Sequence, residues 1–138
     1  MAPARGGSLE PHRLLTLTAE LDHFELPVGD ADRMADFLGR VFEWSAKERV
    51  DIAAGTYRRV SAGSPDRVSV GLLEGSAELL DRPLPVVRLE GESLDGCLER
   101  VVACGGTVTL EPRKVEGGRF ARFTDPDGHE WGLWARRD

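Results

Sequence analysis

Phe120-Ala-Arg-Phe-Thr-Asp-Pro-Asp-Gly-His-Glu-Trp-Gly-Leu-Trp134 is the stretch whose reading decides the fold. Asp125-Pro-Asp-Gly128 carries the residues that favour a tight reversal: a side-chain acceptor first, a fixed-φ proline next, and glycine last. On either side the pattern alternates with a period of two, which predicts strands over about 118 to 124 and 130 to 136. The stretch therefore reads as a β-hairpin. Phe123, Trp131 and Leu133 are placed on one face, with Phe120, Arg122, Glu130, Gly132 and Trp134 on the other.

Working outward, a strand is predicted over 107 to 115, preceded by Gly105-Gly106, which ends a helix. That helix starts behind a Ser93 cap, and its apolar residues Leu94, Cys97, Leu98, Val101 and Val102 recur at helical spacing. Val86 to Leu89 form the strand before it. The first half shows the same order. His23-Phe-Glu-Leu-Pro-Val28 alternates, with Phe24, Leu26 and Val28 predicted to face the core and His23 and Glu25 to face away. Asp30 then caps a helix striped by Met34, Phe37, Leu38, Val41 and Phe42. Strands around 45 to 52, 56 to 62 and 67 to 74 follow, parted by Ala54-Gly55 and by Gly63-Ser-Pro-Asp66. Two βαβββ units about 60 residues apart predict an α+β domain with helices outside a curved, mainly antiparallel sheet. The modules are placed at about 21 to 75 and 83 to 136. Residues 1 to 20 are expected to be an N-terminal arm, partly disordered.

Bulk properties narrow the partners. With 138 residues, one core and one domain are expected. A net charge of −6, with no Lys/Arg cluster, argues against nucleic acid, which draws in proteins with basic stripes. No apolar run approaches the roughly 20 residues that a membrane span needs, and nothing near the start resembles a secretion signal. A cytoplasmic location is expected. Cys97 and Cys104 fall seven apart in the second helix, about 10 Å at the ~1.5 Å rise per residue. A disulfide requires less than roughly 7 Å, so reduced thiols are expected.

His23-Phe-Glu-Leu-Pro-Val-Gly-Asp30, followed by Arg33, Phe37 and Val41-Phe-Glu-Trp44, resembles the opening of vicinal oxygen chelate domains, the glyoxalase, bleomycin-resistance and dioxygenase superfamily. Phe120 to Trp134 resembles their closing strands more closely, and the resemblance covers residues 21 to 136. It implies a U-shaped sheet around a cavity, frequently in a homodimer. In metal-using members the first and fourth strands of each module supply one ligand each. Those positions fall on His23, Gly71, Val86 and Gly132, and only the first carries a donor atom. No cofactor is therefore expected. A divalent metal would require a rearranged site of His23, Glu74 and Glu130.

The expected function is metal-independent binding of a small organic molecule, as in bleomycin-resistance members. The cavity would be walled by Arg88, Glu90, Phe120, Arg122 and Trp134, with the arginines offered to a carboxylate or phosphate. Trp44 is read either as a second stacking wall or as core at a helix end. The alternative is a glyoxalase-like isomerase or lyase, or a dioxygenase-like enzyme, in which His23 and Glu25 form an acid/base pair or a rearranged metal site acts. A regulatory or structural interaction partner is the third reading. The bland reading pairs Arg88 and Arg122 with Glu90 or Glu25 across the sheet.

Overall fold

The computed structural model describes residues 19–53, 55–64, 68–75, 80–90, 93–115 and 117–136; the expected N-terminal arm lies almost wholly outside them. The elements run β1 (Ala19–Pro27), α1 (Ala31–Phe42), β2 (Ser45–Ala46), β3 (Val50–Ile52), β4 (Gly55–Ser61) and β5 (Ser69–Gly75). After these come β6 (Leu84–Leu89), α2 (Leu94–Ala103), β7 (Thr107–Val115), β8 (Gly118–Thr124) and β9 (Glu130–Ala135). The strand predicted over 45 to 52 is thus two short pieces, both pairing with β4.

All strands join one sheet in the order β2-β4-β5-β1-β6-β9-β8-β7, with β3 also on β4. Each module contributes one parallel pair, β1 with β5 and β6 with β9, and the remaining pairings are antiparallel. The modules meet at the sheet's centre through antiparallel β1 and β6. The four strands carrying the family's ligand positions, β5, β1, β6 and β9, are therefore side by side.

Both helix caps form as the sequence predicts. Asp30 accepts from the Arg33 amide at 2.9 Å and Ser93 from the Gly96 amide at 2.8 Å, each satisfying a first-turn donor that has no intrahelical partner. Helix α2 packs Leu94 and Leu98 with Leu89, Ala121 and Leu133, and Val87 and Phe123 join them. Cys97 and Cys104 are free thiols.

Helix α1 departs from expectation. Its buried residues are Ala31 and Ala35, which meet Val60 and Leu72, with Met34 and Leu38 packed alongside. Phe37, Val41 and Phe42, predicted to face the sheet, are 56%, 52% and 54% exposed. The alanines let the helix lie close on the sheet. Asp32, which pairs with Arg49 and Arg58, ties its first turn in that rotation. Val102 of α2 is likewise exposed instead of core.

Trp44 packs into the α1 core, its ring 4.9 Å from that of Phe42, and so does not wall the concave face. The Asp125 turn is drawn together by one carboxylate. It accepts from the amides of Asp127 and His129, at 2.9 Å each, and from the Trp131 indole at 3.1 Å. The His129 amide, foremost among these donors, holds the Asp125 carboxyl below its ordinary range. Among the described residues, no helix is long and apolar enough to cross a membrane.

Candidate functional site

Strand alternation turns His23 and Glu25 away from the helices, onto the concave face. A bulge between Leu21 and His23 inserts Asp22 as an extra residue opposite β6. Asp22 thereby stands beside the His23 ring. His23 Nδ1 lies 2.7 Å from Asp22 Oδ2, and Nε2 lies 2.7 Å from Glu25 Oε2. Each carboxylate needs an N–H, and only the protonated imidazolium has both. The residue is 4% exposed. Burial opposes its charge, but the hydrogen bonds to Asp22 and Glu25 outweigh burial and raise the imidazole's pKa above its ordinary value. In return the His23 hydrogen bond, against burial, holds the Asp22 carboxyl low, with smaller help from Arg59 and the Trp134 indole.

Two residues that the sequence reading missed complete this cluster. Tyr57 donates to Glu25 Oε2 at 3.3 Å, and Arg59 donates to Tyr57 Oη at 3.2 Å and to Ser69 Oγ at 2.9 Å. Burial pushes the Tyr57 phenol up, keeping it a donor. Both lie on β4 and alternate with Arg58 and Val60, which meet helix α1, so alternation alone would have marked them as concave-facing. Asp22 was not findable in this way, because a bulge breaks the period. Glu25 Oε1 is buried and, among the described residues, has no hydrogen-bond partner.

The parallel register sets Ser69 beside His23 and Gly71 beside Glu25. A Cβ on Gly71 would stand 2.0 Å from Tyr57 Oη, so the phenol occupies the space a ligating side chain would need. The other half matches. Gly132 lies beside Val86, and a Cβ on it would meet the Phe120 ring and Val86 at 3.1 Å. Of the rearranged metal set, Glu74 faces the helices, where its carboxylate accepts from the Ala31 amide at 2.8 Å. Glu130 accepts from Thr109 at 2.9 Å and stands 3.9 Å from Arg122. The three do not converge. Among the described residues no group of three or more His, Cys, Asp or Glu side chains is placed to hold a metal ion. With both His23 nitrogens facing carboxylates, the donor set does not fit the family's metal.

Arg88 reaches Asp22 at 3.3 Å, Glu20 at 3.2 Å and Glu90 at 3.2 Å. Phe120 and Trp134 pack against buried Leu80, Leu84 and Val86, giving the second module's concave side an apolar cluster. An open concavity of about 610 Å³ lies away from His23. It lies at the β7–β8 hairpin and touches the cluster through Trp134.

Comparison with solved structures gives the same fold at low identity. A hypothetical protein, BH1468 from Bacillus halodurans C-125, superposes with a TM-score of 0.72 at 14% identity, covering 88% of this chain and 96% of that one. A methylmalonyl-CoA epimerase from Streptomyces coelicolor, in complex with 2-nitronate-propionyl-CoA, gives 0.68 at 14%, covering 88% and 99%. The methylmalonyl-CoA epimerase from Mycobacterium tuberculosis gives 0.64 at 16%, covering 86% and 89%. No match to the chain is found among curated protein sequences. The sequence profile that matches spans residues 20–133, taking in both helices, the His23 strand and the Asp125 hairpin, and by it the chain belongs to the Glyoxalase/Bleomycin resistance protein/Dioxygenase superfamily.

Proposed function

We propose that this protein binds a small organic molecule on its concave face without a metal. The observation that carries the reading is the filling of the family's ligand positions. Gly71 and Gly132 offer no donor and are covered by Tyr57 and Phe120, Val86 is apolar, and His23 is held between Asp22 and Glu25. The apolar cluster around Phe120 and Trp134 supplies the surface that an organic ligand buries. The reading includes a homodimer in the cytoplasm, a compartment suited to the two free thiols. Protein purified without chelator and titrated with Zn(II), Ni(II), Fe(II) and Mn(II) is expected to take up no stoichiometric metal. Uptake that disappears in His23→Gln would overturn the reading.

A second reading is proton-transfer catalysis, favoured by the buried Glu25 Oε1, which has no hydrogen-bond partner among the described residues. A carboxylate backed by an imidazolium on its other oxygen is arranged to exchange a proton with a bound substrate. The epimerases of like fold make methylmalonyl-CoA the first compound to try. Under the binding reading no solvent deuterium enters it. Incorporation that is lost in Glu25→Gln would replace binding by catalysis.

A further inference from the structure

Resting on the small-molecule reading above, we propose that the ligand presents an elongated, uncharged apolar body, and that this body lies on the concave side of the first module along Val50, Tyr57 and Leu73, with Ile52 at the rim. Strand pairing sets out the row. Val50 of β3 is opposite Tyr57 of β4, and Tyr57 is opposite Leu73 of β5, so their side chains share one face. That face is the concave one, because the Tyr57 hydroxyl covers Gly71 and reaches Glu25. Ile52, two residues on from Val50, points the same way. The alternate residues of this segment turn to the helix side. Arg49 pairs with Asp32 of α1, and Asp51, opposite Thr56, accepts its hydroxyl at 3.2 Å.

The pattern of β3 is thus the reverse of what water on the concave side would select, since a solvated sheet face carries polar residues. Val50 is 49% exposed there and Ile52 42%. At its inner end the row is continuous with the cluster around Phe120 and Trp134, because Leu73 packs against that cluster, which Leu80, Leu84 and Val86 fill. Apolar surface therefore runs outward from Leu73 to the open at Val50. Strands stand roughly 4.8 Å apart, so three of them give the row a length of about 10 Å, that of two or three linked rings. Charge is not what the row offers. Arg59 is held by Tyr57, Ser69 and Asp22, and Glu25 by His23 and Tyr57. A charged ligand group would lose its water beside counter-ions already held, whereas an apolar body gains by burial. A second copy of the chain would need about 800 Å² per partner, far more than two half-covered aliphatic side chains supply.

The test uses N-phenyl-1-naphthylamine, an elongated uncharged fluorophore whose emission rises in apolar surroundings, with its position read from NOEs to the methyl groups of Val50, Ile52 and Leu73. Saturable binding with NOEs to all of these is expected. Val50→Thr with Ile52→Thr keeps the branching at Cβ that a strand favours and should weaken binding by about tenfold, ~1.4 kcal/mol. The control pair Phe37→Gln with Val41→Gln, which takes exposed apolar surface from α1 instead, should leave it within about twofold. No saturable change in emission, or a Val50/Ile52 variant that binds as tightly as the parent, overturns the proposal. Binding with NOEs only at the Phe120 and Trp134 cluster would remove the row while keeping a small-molecule site. A parent dimer that ignores the naphthylamine and dissociates in the Val50/Ile52 variant would overturn the proposal by giving the face to a second copy. Metal uptake would sink the metal-free reading and leave binding of the naphthylamine on the row standing.

Discussion

The two modules place the same arrangement on the concave face and finish it differently. Tyr57 pairs with Leu73 and covers Gly71, and Phe120 pairs with Trp134 and covers Gly132. In each case the ring lies two residues along from the glycine it covers, and an arginine, Arg59 or Arg122, pairs with the glycine itself. The strand beside the glycine then decides the character of each half. Gly71 has Glu25 next to it, within reach of His23, whereas Gly132 has Val86. One half is a buried ion cluster and the other an apolar cluster. The comparison teaches that a glycine on the concave face leaves a volume to be filled, and the neighbouring strand fills it with an aromatic ring in both modules. Whether the filled site is charged depends on the adjoining strand.

The largest expected effect tests the charged half. Glu25→Leu leaves the His23 imidazolium with one carboxylate, and breaking a buried pair of this kind costs about 3 kcal/mol. Phe120→Leu in the apolar half is expected to cost only about 1 kcal/mol. Urea unfolding of both variants checks the contrast, and equal losses would break it. Next comes the space over each glycine. Gly71→Ala forces a Cβ against the phenol and is expected to cost about 2 kcal/mol, relieved when combined with Tyr57→Ala. Gly132→Ala meets contacts that are tight but not overlapping, and is expected to cost less.

The smallest effect is in pH. His23 has a raised pKa, so its contribution to stability is full below about 6.5 and is lost as pH rises through the higher folded value. Asp22 has a lowered pKa, so its contribution is full above about 3.9 and is lost as pH falls toward the lower folded value. Stability measured against pH should therefore decline above neutrality, and His23→Gln should flatten that limb. A wild-type profile flat from pH 6 to 9 would show that the imidazole is not charged.

Most of the architecture was legible because it rests on local rules. Asp30, Ser93 and the Asp125 turn act through their own neighbours, and period-two alternation placed His23, Glu25, Phe120 and Trp134 on one face. What escaped depended on long-range fit. The stripe of Phe37, Val41 and Phe42 has the right spacing, yet the face bearing Ala31 and Ala35 packs closer to Val60 and Leu72, and volume pattern alone does not reveal which face a sheet accepts. The bulge at Asp22 adds the residue that secures the second nitrogen of His23, and no period predicts it. Arg88 meets Glu90, the partner the bland reading offered it, but its other partners, Asp22 and Glu20, come from a strand far off in sequence, and Arg122 stands by Glu130, not Glu90 or Glu25.

The carboxylate of Asp125 also bears on how such a chain changes over generations. Held by two amides and an indole, it locks where β9 begins, and a slip by one residue would turn every side chain of that strand to the opposite face. With the strand pinned from its turn, the residue at position 132 is relieved of any part in setting alignment. The side chain at that position is then limited by the space beside Phe120 and Val86, and not by the need to hold the hairpin in register.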